Sequence, residues 1–186
     1  GDLEKSNPRF KKIDIKFETY ILSSVEKSSG LTKLSYTTTK DQDVVTPLVE
    51  EHIRYFAKEL GTVPKKMALR MDKGGEFSVR QLRRLVPDVK TVNTGTSIEA
   101  RNQMIQRSFY RILKNRRAVK IEDALAQTEK IVNNTVNRIQ KKSPNEIVKE
   151  KVPEKKLIAK YNSTRKSYKS GDKRLPFAVG DLVRIL

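Results

Sequence analysis

Two hydrophobic rhythms divide this chain, and their order constrains the architecture more than any other feature. Near the start, Ile13, Ile15 and Phe17 alternate against Phe10, Lys12, Asp14 and Lys16, the period-two pattern of a half-buried strand. Thr19–Val25 (TYILSSV) and Leu31–Thr39 (LTKLSYTTT) are rich in β-branched and aromatic residues, with Ser28, Ser29 and Gly30 between them as a turn. A three-stranded antiparallel meander is therefore expected. The rhythm then becomes helical from Asp43 or Thr46: Val45, Val49, His52 or Ile53, Phe56 and Leu60 share one face. Pro47 is tolerated in a first turn, and Gly61 is a C-cap signal.

Met67–Met71 reads as a short strand, Ser78–Leu85 as a short helix, and Pro87–Val92 as a final strand. The β-β-β-α-β-α-β order implies a mixed sheet flanked by helices, an α/β fold. A long helix follows over Ser97–Arg117, with Ile98, Ile105, Phe109 and Ile112 on one face. The next carries Ile121, Leu125, Thr128, Val132, Val136 and Ile139 in the same rhythm. Ser143-Pro144-Asn145-Glu146 has the form of a capping box with proline at the first helical position. Residues 1–9 form an N-terminal arm, 10–150 the core, and 151–176, polar and basic, a linker or extended arm. The last ten residues turn strand-like around Gly180-Asp181, too few to close a second domain.

Composition narrows the chemistry. The chain has 186 residues, no cysteine and one histidine, which removes disulfides, cysteine nucleophiles and zinc sites built on Cys and His. A Ser-His-Asp triad would depend on His52, whose place beside an apolar helical stripe suits packing better than catalysis. The net charge of +18 favours a polyanionic partner. There is no run of 18 or more apolar residues, so no membrane span is encoded and no membrane partner is expected. The first ten residues read as neither a signal peptide nor a clear transit peptide.

Carboxylates remain. Asp14 lies on the polar face of the first strand, and Asp72 follows the Met67–Met71 strand, where strand ends open onto ligand clefts. Lys73-Gly74-Gly75 after it allows close backbone approach. Glu99 lies in the first turn of the long helix, away from its apolar stripe. Three converging acids repel unless a cation neutralises them, and oxygen ligands select Mg2+ or Mn2+. Two such ions can stabilise both attacking and leaving oxygens in phosphoryl transfer. The alternative is that these are ordinary surface acids among 22.

The wording around these acids is specific. MDKGGEF (Met71–Phe77) resembles the Asp-x-Gly-x-Glu-Phe segment around the second acidic residue of retroviral and retrotransposon integrases, especially those of Maverick/Polinton-type elements. TYILSSVEKSSGLTK (Thr19–Lys33) is similar to the strand-turn-strand after their first acidic residue, and TSIEARNQMIQ (Thr96–Gln106) to the helix bearing the third, with Glu99, Asn102 and Ile105 on its Glu-x-x-Asn-x-x-Leu. NNTVNRIQKKSPNEIV (Asn133–Val148) resembles the family's Asn-x-Thr-x-His and Ser-Pro-x-Glu signature, and Phe177–Leu186 the first strands of the small β-barrel that often follows these cores.

The resemblance implies an RNase H-like mixed five-stranded sheet flanked by helices, with a basic C-terminal extension, and a DDE-type enzyme performing DNA strand transfer. It implies that Asp14, Asp72 and Glu99 hold two Mg2+ (or Mn2+), and that Asn102 and nearby Arg101 or Gln103 face the DNA end. There are departures. Only 26 residues separate Asp72 from Glu99, shorter than the family's usual spacing. Aligning Ser97-Ile98 on the Maverick-type Ser-Ile-Val-Glu puts Ala100, not Glu99, at the acidic position. The turn between Asp14 and Tyr20 is unusually short, Asn137 replaces the signature histidine, and Glu26 replaces the Asp after Tyr-Ile-Leu. The His/Cys ligands of an N-terminal zinc module are absent from this sequence, so no zinc is expected.

Basic residues supply the expected nucleic-acid surface: Arg107, Arg111, Lys114, Arg116 and Arg117 along the long helix, and ten against three acidic residues from Lys149 to Arg174. Lys155, Lys156, Arg165 and Lys166, with Tyr161 and Tyr168 interleaved, could track phosphates and stack on bases. DNA stands ahead of RNA as partner, with a homo-oligomer or a larger nucleoprotein assembly as the setting, intracellular and nuclear ahead of organellar. The alternative to an active transferase is a domesticated, catalytically lapsed integrase-like domain serving as a structural nucleic-acid-binding component, for example of a ribonucleoprotein.

Overall fold

A computed structural model describes residues 19–71, 74–91, 96–115 and 120–170, apart from the side chains of 96–100 and 164–170. β1 (Tyr20–Val25) pairs antiparallel with β2 (Thr32–Thr37), Tyr20 opposite Thr37 and Val25 opposite Thr32. The turn forms at Ser28-Ser29-Gly30 as the sequence suggests, and Glu26 clamps it. Its carboxylate accepts from the Ser28 and Ser29 N–H groups (2.9 and 2.7 Å) and from the Ser29 hydroxyl (2.6 Å), while Gly30 takes φ +77°.

Strand alternation gives this hairpin two working faces. Ile21, Leu34 and Tyr36 pack toward α3 (Thr96–Asn115) and α4 (Ile121–Asn134), against Ile105, Phe109, Ile112, Leu125 and Val132. Leu22, on the opposite face, joins the cluster built on Val45, Val49 and Ile53 of α1 (Gln42–Glu59). The same cluster covers β3 (Ala68–Met71) and β4 (Asp88–Thr91), which pair in parallel, and α2 (Val79–Leu85) connects them.

The outer edge of β2 is closed by side chains. Asn133 of α4 accepts from the Thr32 N–H and donates to the Thr32 carbonyl, both at 2.8 Å. Glu129, one helical turn earlier, accepts from the Leu34 N–H at 2.9 Å and pairs with Lys33. Strand edges left open are templates for further pairing, and here an amide and a carboxylate occupy the positions that a third strand would use.

Several expectations are corrected. The five-stranded sheet is not seen among the described residues: β1-β2 and β3-β4 form two separate two-stranded sheets. The strand expected over 10–17 lies outside the described residues, as does the segment 177–186. α1 begins earlier, at Gln42, so Pro47 lies inside the helix rather than in its first turn. Residue 47 is on the exposed side, where water can serve the carbonyl that its missing N–H leaves without a partner. Gly61 adopts φ +62° and follows the helix as expected.

α4 stops at Asn134, although the apolar rhythm runs on to Val136 and Ile139. The Asn137 side chain accepts from the Ile139 and Gln140 N–H groups (2.8 and 3.1 Å), a local turn that competes with helix, and Val136 is 56% exposed. The capping box forms at α5 (Pro144–Lys149), where the hydrogen bonds from Ser143 hold the Glu146 carboxyl below its usual pKa. The segment read as a linker is helical, α6 (Glu154–Ser170). Tertiary anchors explain it. Leu157 is buried, its carbonyl accepts from Gln140 (3.0 Å), and Glu154 accepts from Ser28 (2.9 Å).

Candidate nucleic-acid interface and carboxylate site

The fold positions the elements that lead to or carry two of the three acids, Asp72 and Glu99. β3 ends at the buried Met71, so Asp72 follows the C-terminal end of a strand in a parallel pair. The loop beyond is tied to the first turn of α1 by Gln42, whose amide donates to the Gly75 carbonyl. Glu99 falls in the first turn of α3. Asp14 and Asp72 lie outside the described residues, and the Glu99 side chain is not described. Among the described residues no group of three or more acidic or histidine side chains could hold a metal ion.

His52 is structural. It is 1% exposed, and its ring nitrogens bond Ser24 of β1 and Ser35 of β2, each at 2.8 Å. Burial, helped by the nearby positive charge of Lys33, lowers its pKa from 6.5 to about 4.

α3 separates its polar residues onto two faces. Arg101 and Asn102 are half-buried and turn toward the hairpin. The Arg101 guanidinium donates to the Gly30 carbonyl and to Thr32 Oγ1 (3.1 Å), and burial lowers its pKa. Ser23 Oγ donates to Asn102 Oδ1 at 2.9 Å. Gln103, Arg107 and Lys114 point outward instead and share a surface with Gln106, Tyr110 and Arg111.

This outer surface is shallow and open to solvent. An open groove of about 750 Å³ is lined by Gln106, Arg107, Tyr110, Arg111, Lys114 and Asn115. Arg107 and Arg111 also line an adjoining depression of about 200 Å³ with Gln103, Met104 and Ser108. Among the described residues neither is lined by an acidic side chain, Arg107, Arg111 and Lys114 contribute positive charge, and Tyr110 adds an aromatic surface. Tyr110 and Gln106, being uncharged, carry no signal in the charge pattern of the sequence. Spacing could have found both, since Gln103, Gln106, Tyr110 and Lys114 follow one another at three and four residues.

Of the other expected contacts, Lys155 and Lys156 are exposed on α6. Arg165 and Lys166 belong to the same helix without described side chains, and Arg116 and Arg117 lie outside the described residues.

The whole arrangement is similar to integrase catalytic cores. The catalytic core domain of BIV integrase, in crystal form I, matches with a TM-score of 0.55 and 16% identity over 81% of this chain and 90% of that one. The HTLV-2 integrase catalytic core domain, in complex with magnesium and in a trimeric form, matches with a TM-score of 0.50 and 14% identity over 69% and 92%. No family model and no curated protein matches the sequence. Identity this low shows the fold alone: the chain has an integrase-like, RNase H-like α/β fold.

Proposed function

We propose that this chain is an integrase-like polynucleotidyl transferase, of the DDE type, that performs Mg2+-dependent DNA strand transfer. The observation that carries the reading is the outer face of α3. On the helix that bears Glu99, Gln103, Arg107, Arg111 and Lys114 line two adjoining open depressions in which no described residue is acidic. Arginine and lysine there would neutralise phosphates, and Tyr110 offers a stacking surface. Arg116, Arg117, Lys155, Lys156, Arg165 and Lys166 would extend the contact.

Asp14, Asp72 and Glu99 would hold the two divalent ions. The donor set suits them, since three carboxylates offer hard oxygen ligands and no nitrogen or sulfur. Bound there, Mg2+ or Mn2+ would supply neutralising charge for the reacting phosphate. Residues 10–17 would form the fifth strand and bring Asp14 into one sheet with Asp72. Two features support this. A two-stranded parallel pair is not stable alone, and Leu22 of β1 already shares a cluster with Leu69, Met71 and Val89 of the other pair.

The kinship with Maverick/Polinton-type enzymes rests on the sequence motifs. DNA is the partner proposed ahead of RNA, in a nuclear setting. A homo-oligomer draws support from the trimeric form of the HTLV-2 core. The test is strand transfer or nicking of varied DNA substrates with Mg2+ or Mn2+. Activity that requires the ion and is abolished by Asp72→Asn is the expected result. Inactivity on all substrates overturns the reading.

A second reading has one observation in its favour: Arg101 and Asn102, beside Glu99, are committed to the hairpin. A catalytically lapsed domain acting as a structural nucleic-acid-binding component would need no free polar groups there. Binding without catalysis, unchanged by Asp72→Asn, is its signature.

A further inference from the structure

We propose that Arg101 is a positioning residue that sets the direction of α3 by gripping the β1–β2 turn, and that it does not contact phosphate. The proposal rests on the reading of the outer α3 face as a nucleic-acid interface.

All three guanidinium nitrogens are engaged by neighbouring groups of the chain. Nη2 donates to the Gly30 carbonyl, Nε to Thr32 Oγ1 at 3.1 Å, and Nη1 lies 3.6 Å from Met104 Sδ. Thr32 Oγ1 in turn donates to the same Gly30 carbonyl at 3.1 Å, which closes the set. Gly30 suits its conformation, with φ at +77°, where an L side chain would be strained.

The next residue repeats the grip, Asn102 accepting from Ser23 of β1 at 2.9 Å. The hairpin it holds is itself fixed. Glu26 clamps the turn, and Asn133 of α4 pairs with the Thr32 backbone.

Arginine is an expensive way to fill such a place. A half-buried guanidinium loses solvation, and the partners here are a carbonyl and a hydroxyl rather than a carboxylate. Burial alone would be served better by a hydrocarbon side chain. What the guanidinium adds is direction, several donors in a rigid plane. At 3.6 residues per turn, residue 103 lies on the opposite side of the helix from residue 101. Holding Arg101 inward therefore aims Gln103, Arg107, Arg111 and Lys114 outward.

The test is the salt dependence of binding, using the full chain and a fluorescent 20-mer DNA duplex. A phosphate contact contributes about one unit to the slope of log K against log salt. Arg101→Lys keeps the charge but cannot reach both acceptors in one plane. It should weaken binding severalfold with the slope unchanged. Thr32→Val removes only the hydroxyl, alters no charge, and should weaken binding in the same direction. Arg107→Gln, in contrast, should make the slope shallower by about one. Should Arg101→Lys fail to fold, Thr32→Val decides.

Wild-type affinity for both variants, or an Arg101→Gln slope reduced by about one, overturns the proposal while leaving the interface standing. A wild-type chain with no salt-dependent binding removes the interface reading, and the proposal with it.

Discussion

The antiparallel hairpin and the parallel pair are held by different forces. Around β3 and β4 the core is apolar, with Val45, Val49, Ile53, Leu82 and Val86 closing over the strands, and polar contacts such as Arg70–Asp88 (3.3 Å) lie at the surface. Around β1 and β2 a comparable apolar cluster is joined by polar side chains from distant parts of the chain. Asn133 and Thr32 are 101 residues apart, Asn102 and Ser23 are 79, and Arg101 and Gly30 are 71. Apolar burial is non-directional and tolerates small shifts. Hydrogen bonds fix one arrangement, and those that involve ionisable groups respond to pH. The hairpin half, which grips the start of α3, is thus the more exactly specified and the more acid-sensitive.

The largest effect should come from the apolar half. Leu82 is fully buried, and Leu82→Ala should cost about 2–5 kcal/mol, measured by urea unfolding. A cost under about 1 kcal/mol would show that this cluster is loosely packed and would break the contrast.

Acid should strike the hairpin half. His52 is held neutral, with its pKa lowered from 6.5 to about 4 by burial and Lys33. The unfolded chain binds the proton more readily, so this contribution is complete above pH 6.5 and is lost as pH falls toward 4. The loss is about 3 kcal/mol. His52→Gln should flatten that part of the stability curve, while Leu82→Ala should lower the curve and keep its shape. Equal pH dependence in wild type and His52→Gln would remove His52 as the cause.

Asn133→Leu should cost about 1–3 kcal/mol, since it leaves the Thr32 N–H and carbonyl without partners. Amide exchange at Thr32 should accelerate, whereas β3 and β4 amides keep wild-type rates. Exchange that rises equally in both pairs would mean that the halves unfold together.

The smallest effect tests a purely local device. Ser143→Ala should remove about 1 kcal/mol through loss of the α5 cap, with the hairpin untouched. Thermal melts of wild type and variant would show it.

Period and punctuation made most of the elements legible. β-Branched and aromatic enrichment marked β1 and β2, the 3.6-residue rhythm marked α1, α3 and α4, and the Ser143–Glu146 box marked the start of α5. The errors have physical causes. The rhythm past Asn134 failed because Asn137 offers the backbone a competing turn. The helical character of α6 was invisible because a single buried leucine and bonds to Gln140 and Ser28 anchor it. Charge alone does not separate the half-buried Arg101 from the exposed Arg107, since composition does not record which way a side chain turns.

The sequence by itself determined most of the element order, the absence of cysteine chemistry and the strongly positive charge. Only the tertiary structure decided which basic residues face solvent, that His52 is a buried strut, and that α4 closes the edge of β2. The physical reason is range. Periodicity, capping and turn chemistry act within a few residues and are written locally. A hydrogen bond between residues about a hundred positions apart exists only once the core has brought them together.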